Sequence, residues 1–123
     1  FKSRLFAVYQ SVFQTLLKEQ PSLQYVISLE DDVALLDPEG FRQELNYALS
    51  EQIEFYSFHK TKKGNDSCLY EWGTQAQLWS RSMVRRLILE VDDDTFCRLP
   101  IDMCIAQQGP WYTTQKNLVR HVG

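Results

Sequence analysis

Residues 24–33 read Gln-Tyr-Val-Ile-Ser-Leu-Glu-Asp-Asp-Val. The apolar run from Tyr25 to Leu29 has the length and the β-branched and aromatic content of a strand buried in a sheet. Three carboxylates come directly after it: Glu30, Asp31 and Asp32. In an α/β sheet the carboxyl end of a strand is where ligands bind. Adjacent acids repel one another by roughly 1 kcal/mol per close pair even in water, and a divalent cation turns that repulsion into ligation. A solvated turn after a strand is the plain alternative. Side chains alternate along an extended chain, so Glu30 and Asp32 are expected on one face and Asp31 on the other.

Upstream, Leu5, Phe6, Tyr9, Val12, Phe13, Leu16 and Leu17 recur at helical spacing and predict an amphipathic helix ending near Pro21. Downstream, Asp37-Pro38 is a helix start, with Asp as cap and Pro at the first helical position. Phe41, Leu45, Ala48 and Leu49 then mark its buried face. Ile53 to Phe58 alternates like a strand, 59–67 is a polar loop, and Leu69 to Trp79 is extended. Ser80 or Ser82 caps a helix with core face Val84, Leu87, Ile88 and Val91, and with Arg81, Arg85 and Arg86 outside. Asp92-Asp93-Asp94 ends a helix rather than a strand and reads as a solvated loop. Pro100 opens a short helix over 101–108, and Trp111 to Val122 is mostly extended. Strands alternating with helices predict an α/β fold with a mixed, mainly parallel sheet flanked by helices.

The 123 residues make one domain, with 44% apolar and 13% aromatic content typical of a packed globular chain. A formal charge of −3 gives no basic footprint for nucleic acid. No stretch approaches the ~18 apolar residues of a membrane span. The chain starts at Phe1 with no charged-then-apolar leader, and is expected to be a piece of a longer protein. Cys68, Cys97 and Cys104 show no metal-type Cys-x-x-Cys spacing. Asn65-Asp66-Ser67 is an N-glycosylation acceptor triplet, which points to the secretory pathway; a cytosolic chain with reduced thiols is the alternative.

Four pieces carry a resemblance. Leu29-Glu30-Asp31-Asp32-Val33 closes a strand with an acidic motif; Trp72-Gly73-Thr74-Gln75-Ala76-Gln77-Leu78-Trp79-Ser80-Arg81-Ser82 is the second; then come Pro100-Ile101-Asp102 and the ending Asn117-Leu118-Val119-Arg120-His121-Val122-Gly123. Their order resembles a GT-A type glycosyltransferase, and most of all the lipooligosaccharide/collagen galactosyltransferase family. Gln77, Trp79 and Asn117 stand where that family more often has Tyr, Ile and Pro. The resemblance implies the carboxyl-terminal portion of a Rossmann-like GT-A domain, with the strands that form most of the nucleotide pocket outside this chain. It further implies transfer of a sugar from a nucleotide-diphosphate donor to a carbohydrate or glycoconjugate acceptor, with Mn²⁺ or Mg²⁺ as cofactor. Golgi or ER lumen is the implied address in a eukaryote, with any membrane anchor in segments outside these residues.

By the same resemblance, Asp32 is the first choice for direct metal ligation, and Glu30 and His121 complete the metal set; a hydrogen-bonded histidine at a strand end is the alternative for His121, and action through water or tying down the backbone is the alternative for Glu30. Asp31 lies toward the ribose or sugar, and Gly73, Thr74 and Gln75 line the donor. Asp102 is the candidate general base for the acceptor hydroxyl, a role suited to a carboxylate in a cleft; capping of the helix after Pro100 is its structural alternative. Trp72 and Trp79 could stack on a sugar, although strand tryptophans are more often core. His59, in the Lys-rich loop, is expected to be exposed, and the three arginines to lie on a solvated helix face. A degenerate GT-A-like module acting as a binding or scaffolding surface is the rival function. A phosphotransferase finds no support, since no Gly-rich phosphate loop is present.

Overall fold

A computed structural model describes residues 4–60, 73–90, 101–114 and 117–122. The first periodic stretch forms helix α1 (Arg4–Glu19), which buries Phe6, Phe13 and Leu17. The buried stripe is narrower than the apolar pattern, because Leu5, Val8 and Val12 stay 42–55% exposed. Strand β1 (Tyr25–Leu29) is next, and a turn carries the chain into β2 (Val33–Leu35). Helix α2 (Pro38–Ser50) starts as expected, with the Asp37 carboxylate accepting the Gly40 N–H at 3.0 Å. That bond satisfies one of the donors a helix start leaves open.

Strand β3 (Phe55–Ser57) and strand β4 (Ala76–Ser80) come after α2. Ser80 then caps helix α3 (Arg81–Val84), its hydroxyl accepting the Met83 N–H at 3.1 Å. The helix widens into a π-helical stretch, Arg85–Leu89, where the Glu90 N–H reaches back to the Arg85 carbonyl at 2.7 Å. Helix α4 (Ile101–Gln108) and the short strands β5 (Tyr112–Thr113) and β6 (Val119–His121) complete the order. The readings placed on Val91, Asp92-Asp93-Asp94, Cys68, Cys97, Trp72, Pro100 and the Asn65 triplet lie outside the described residues.

The main sheet has the order β1-β4-β3-β5, and β2 and β6 form a separate antiparallel pair. This corrects the expectation of a mainly parallel sheet. β4 runs antiparallel to both β1 and β3, and among the described strands only β3 and β5 pair in parallel. A parallel pair of neighbours needs a crossover connection. Here α2 joins β1 to β3 in the same sense, and β4 inserts between them from later in the chain. The stretch read as extended from Trp111 to Val122 divides, β5 joining the main sheet and β6 pairing with β2.

β1 is also less buried than its apolar run implies. It is an edge strand, with Val26 buried but Ile27 and Leu29 40% and 55% exposed. Between its edge and α1 runs a groove of about 430 Å³, lined by Leu5, Val8, Val12, Ile27 and Leu29 and reaching Glu30 and Asp31. No described helix is long and apolar enough to cross a membrane.

Cross-strand partners point to the same side of a sheet. On the face under α1, Val26, Trp79 and Phe55 line up and pack with Phe13 and Leu17. Further along the same face the partners become Ser28, Gln77, Ser57 and Thr113. The opposite face carries Tyr56, Ala76 and Leu78, packed with Ala48 of α2 and with Leu118. One face of the sheet is therefore apolar at one end and polar at the other. The polar end is the one that leads into Glu30.

Candidate metal centre

Two hydrogen-bonded connections assemble this end of the molecule. The Glu30 N–H donates to the Gln75 carbonyl at 3.0 Å, extending the β1–β4 ladder by one step. On the other side β2 and β6 pair with Val33 opposite His121, and the Val122 N–H donates to the Asp32 carbonyl at 2.7 Å. The acidic turn is thus held between a strand on each side. One donor atom each from Glu30, Asp32 and His121 lies within 4.8 Å of the other two. Asp31 borders the groove under α1 instead.

His121 Nδ1 sits 3.1 Å from Asp32 Oδ2, with the two side chains 50% and 47% exposed. Its Nε2 lies 3.1 Å from the Gln75 amide nitrogen. With that amide donating, the proton of a neutral imidazole sits on Nδ1 and points at Asp32. To bind a cation through either ring nitrogen, His121 must release one of these two partners. The other oxygen of Asp32, Oδ1, is enclosed and has no hydrogen-bond partner among the described residues; Gln75 Oε1 is in the same condition. An enclosed carboxylate oxygen is costly unless a donor or a cation meets it.

The electrostatics agree with a site short of positive charge. The Glu30 carboxyl is held above the usual glutamate range, first by burial and next by the Asp32 charge. His121 pulls it back down, while Asp31 and Asp102 add to the rise. At the upper separation of 4.8 Å, two carboxylates repel by about 0.9 kcal/mol in water and about 3.5 kcal/mol at an effective dielectric of about 20. Two carboxylates and an imidazole are a donor set that divalent cations accept.

The remaining candidates surround the cluster. Gly73 takes φ = 98°, in the left-handed region that favours glycine. Its N–H donates to Asp102 Oδ2 at 3.1 Å, and its carbonyl accepts from Gln77 Nε2 at 2.7 Å. Asp102, in the first turn of α4, also accepts the Met103 N–H on Oδ1 at 2.9 Å. Thr74 is buried.

The structure places the other singled-out residues as follows. Trp79 is fully buried, with its indole N–H on the Ser28 hydroxyl at 2.9 Å, so it is core. His59, expected to be exposed, is half-buried, and burial with the nearby charge of His121 pushes its ring below the ordinary histidine value. Arg85 and Arg86 lie exposed as expected, Arg85 pairing with Glu90 and Arg86 lying over the Trp111 ring, while Arg81 is half-buried and donates to the Leu23 carbonyl.

Tyr9 was hidden in the α1 pattern as one more apolar position. Burial pushes its phenol above the usual range; Thr74 and Ser28 hydrogen-bond to it, and the Glu30 charge adds to the rise. A tyrosine has a polar tip as well as an apolar body, and that is the signal that marks it. Gln77 is fully buried with Oε1 unpartnered among the described residues. An amide in a strand otherwise composed of core residues is its only sequence signal. Comparison with family models and with curated proteins finds no match to this sequence.

Proposed function

We propose that this chain is part of a metal-dependent glycosyltransferase of GT-A type, transferring a sugar from a nucleotide-diphosphate donor to a hydroxyl of a glycan or glycoconjugate. The observation that carries the reading is the Glu30–Asp32–His121 cluster, with an enclosed Asp32 oxygen that meets no donor among the described residues. In it Asp32 and His121 hold Mn²⁺ or Mg²⁺, and Glu30 ligates directly or through water. A divalent cation held by these residues would supply charge neutralisation for the departing diphosphate, worth several kcal/mol of transition-state stabilisation.

The chain's own groups do the rest. The Gln75 backbone fixes Glu30, and its amide sets the imidazole of His121. Gln75 stands beside the cluster on the donor side, Thr74 is buried behind it, and Asp31 borders the groove where a ribose would lie. β1 delivers the acids at its end, where β2 and β6 hold the turn from the other side.

The test is calorimetric titration of a panel of nucleoside-diphosphate sugars, with and without Mn²⁺, into wild type and Asp32→Ala. The expected result is Mn²⁺-dependent binding of at least one donor by wild type and none by the variant. Donor binding that ignores both Mn²⁺ and the substitution refutes the reading. Mn²⁺ binding with no donor binding leaves a metal site on a non-catalytic module.

A further inference from the structure

We infer that Asp102 is a positioning residue of this site, and that it acts through Gly73. This rests on the reading of the Glu30–Asp32–His121 cluster as a metal centre, and it changes what Asp102 contributes there. A general base needs a carboxylate oxygen within hydrogen-bond reach of the acceptor hydroxyl. Both oxygens of Asp102 are engaged: Oδ2 accepts from Gly73 N–H at 3.1 Å and Oδ1 from Met103 N–H at 2.9 Å.

The Gly73 peptide is gripped from two elements. Asp102 at the start of α4 holds its N–H, and Gln77 of β4 holds its carbonyl at 2.7 Å. Between them they fix φ at 98°, which the chain adopts readily only at glycine. From Gly73 the link to the metal ligands runs through its next two neighbours, Thr74 and Gln75. Thr74 hydrogen-bonds Tyr9, the Gln75 carbonyl takes the Glu30 N–H, and the Gln75 amide meets His121. A contiguous path of bonded groups therefore runs from Asp102 to two of the three proposed ligands. Groups that orient ligands from behind typically govern metal affinity by about 10–100-fold.

The test compares wild type, Asp102→Ala, Asp102→Asn and Gly73→Ala by amide hydrogen exchange, by Mn²⁺ titration and by turnover. In Asp102→Ala, exchange at Gly73 and Glu30 accelerates about tenfold or more, as local opening becomes easier. The Mn²⁺ midpoint of that variant rises about tenfold. Asp102→Asn keeps an oxygen acceptor and stays within about threefold of wild type in both measurements, with the pH profile of kcat unchanged. Gly73→Ala, strained at its φ, reproduces the Glu30 exchange of Asp102→Ala, and so stands in for it should that variant not fold.

Unchanged Glu30 exchange in Asp102→Ala or Gly73→Ala overturns the inference. So does an Asp102→Asn variant with a wild-type Mn²⁺ midpoint and kcat reduced by about a hundredfold or more, the signature of a lost general base. If the complete protein that carries this segment turns over no nucleotide sugar, the transfer reading fails, while exchange and Mn²⁺ binding still decide the role of Asp102.

Discussion

Replacing Asp32 with Asn keeps the shape of the side chain and removes its charge. In the metal-free protein two effects oppose each other. The Asp32–His121 contact is about half-exposed on both sides, so its loss costs at most about 1 kcal/mol. Relief of the Glu30–Asp32 repulsion returns about 0.9 kcal/mol in water at the upper separation of 4.8 Å. The metal-free melting temperature should therefore move by no more than about 3–5 °C, since about 1 kcal/mol corresponds to roughly that shift for a chain of this size.

Metal separates the two proteins. At Mn²⁺ about a hundredfold above its dissociation constant, wild type gains about 2.7 kcal/mol, or about 8–13 °C. If Asn weakens affinity about a hundredfold, the same Mn²⁺ leaves about 0.4 kcal/mol, or about 1–2 °C. Differential scanning calorimetry with and without Mn²⁺ reads both numbers. An equal Mn²⁺ shift in the two proteins refutes the assignment of Asp32 as a ligand. A metal-free variant destabilised by more than about 3 kcal/mol refutes the charge arithmetic instead, because Asp32 would then be holding the fold.

Glu30→Gln tests the raised carboxyl. A folded-state pKa above the unfolded one means the native protein binds more protons, so wild-type stability falls as pH rises from the ordinary glutamate value through the raised one. The Gln variant should lose that slope in urea titrations at a series of pH values, and be the more stable protein above the window. For metal the sign reverses: Mn²⁺ affinity should weaken on acidification at a higher pH than an unperturbed glutamate would give, and titration calorimetry shows it. Trp79→Ala, at a fully buried site among Tyr9, Phe13 and Phe55, should cost about 3–5 kcal/mol by urea denaturation. Ser80→Ala removes the cap on the Met83 N–H and should cost about 1 kcal/mol by the same measurement.

Local chemistry was legible wherever a few neighbouring residues carry it. Helical spacing placed α1 and α2, Asp37 and Ser80 announced the helix starts they cap, and the acids at 30–32 marked the end of β1. These arise from side-chain period and from backbone donors left open at helix ends, both properties of short stretches of chain.

The pairing of strands was not legible in the same way. Nothing within Ala76–Ser80 states that it will lie between β1 and β3 and run against both, because ladder bonds join backbones that every residue possesses. The same ambiguity hid the exposed edge of β1 and the division of the last stretch into β5 and β6. It also hid the grip on Gly73, which needs α4 packed beside the start of β4. Sequence alone therefore determined which residues could ligate a cation and which segments would coil. Only the tertiary structure decided that β2 and β6 pair, which sets His121 against Asp32 with an enclosed carboxylate oxygen left without a donor among the described residues. That decision rests on long-range backbone hydrogen bonding and burial, which no local pattern encodes.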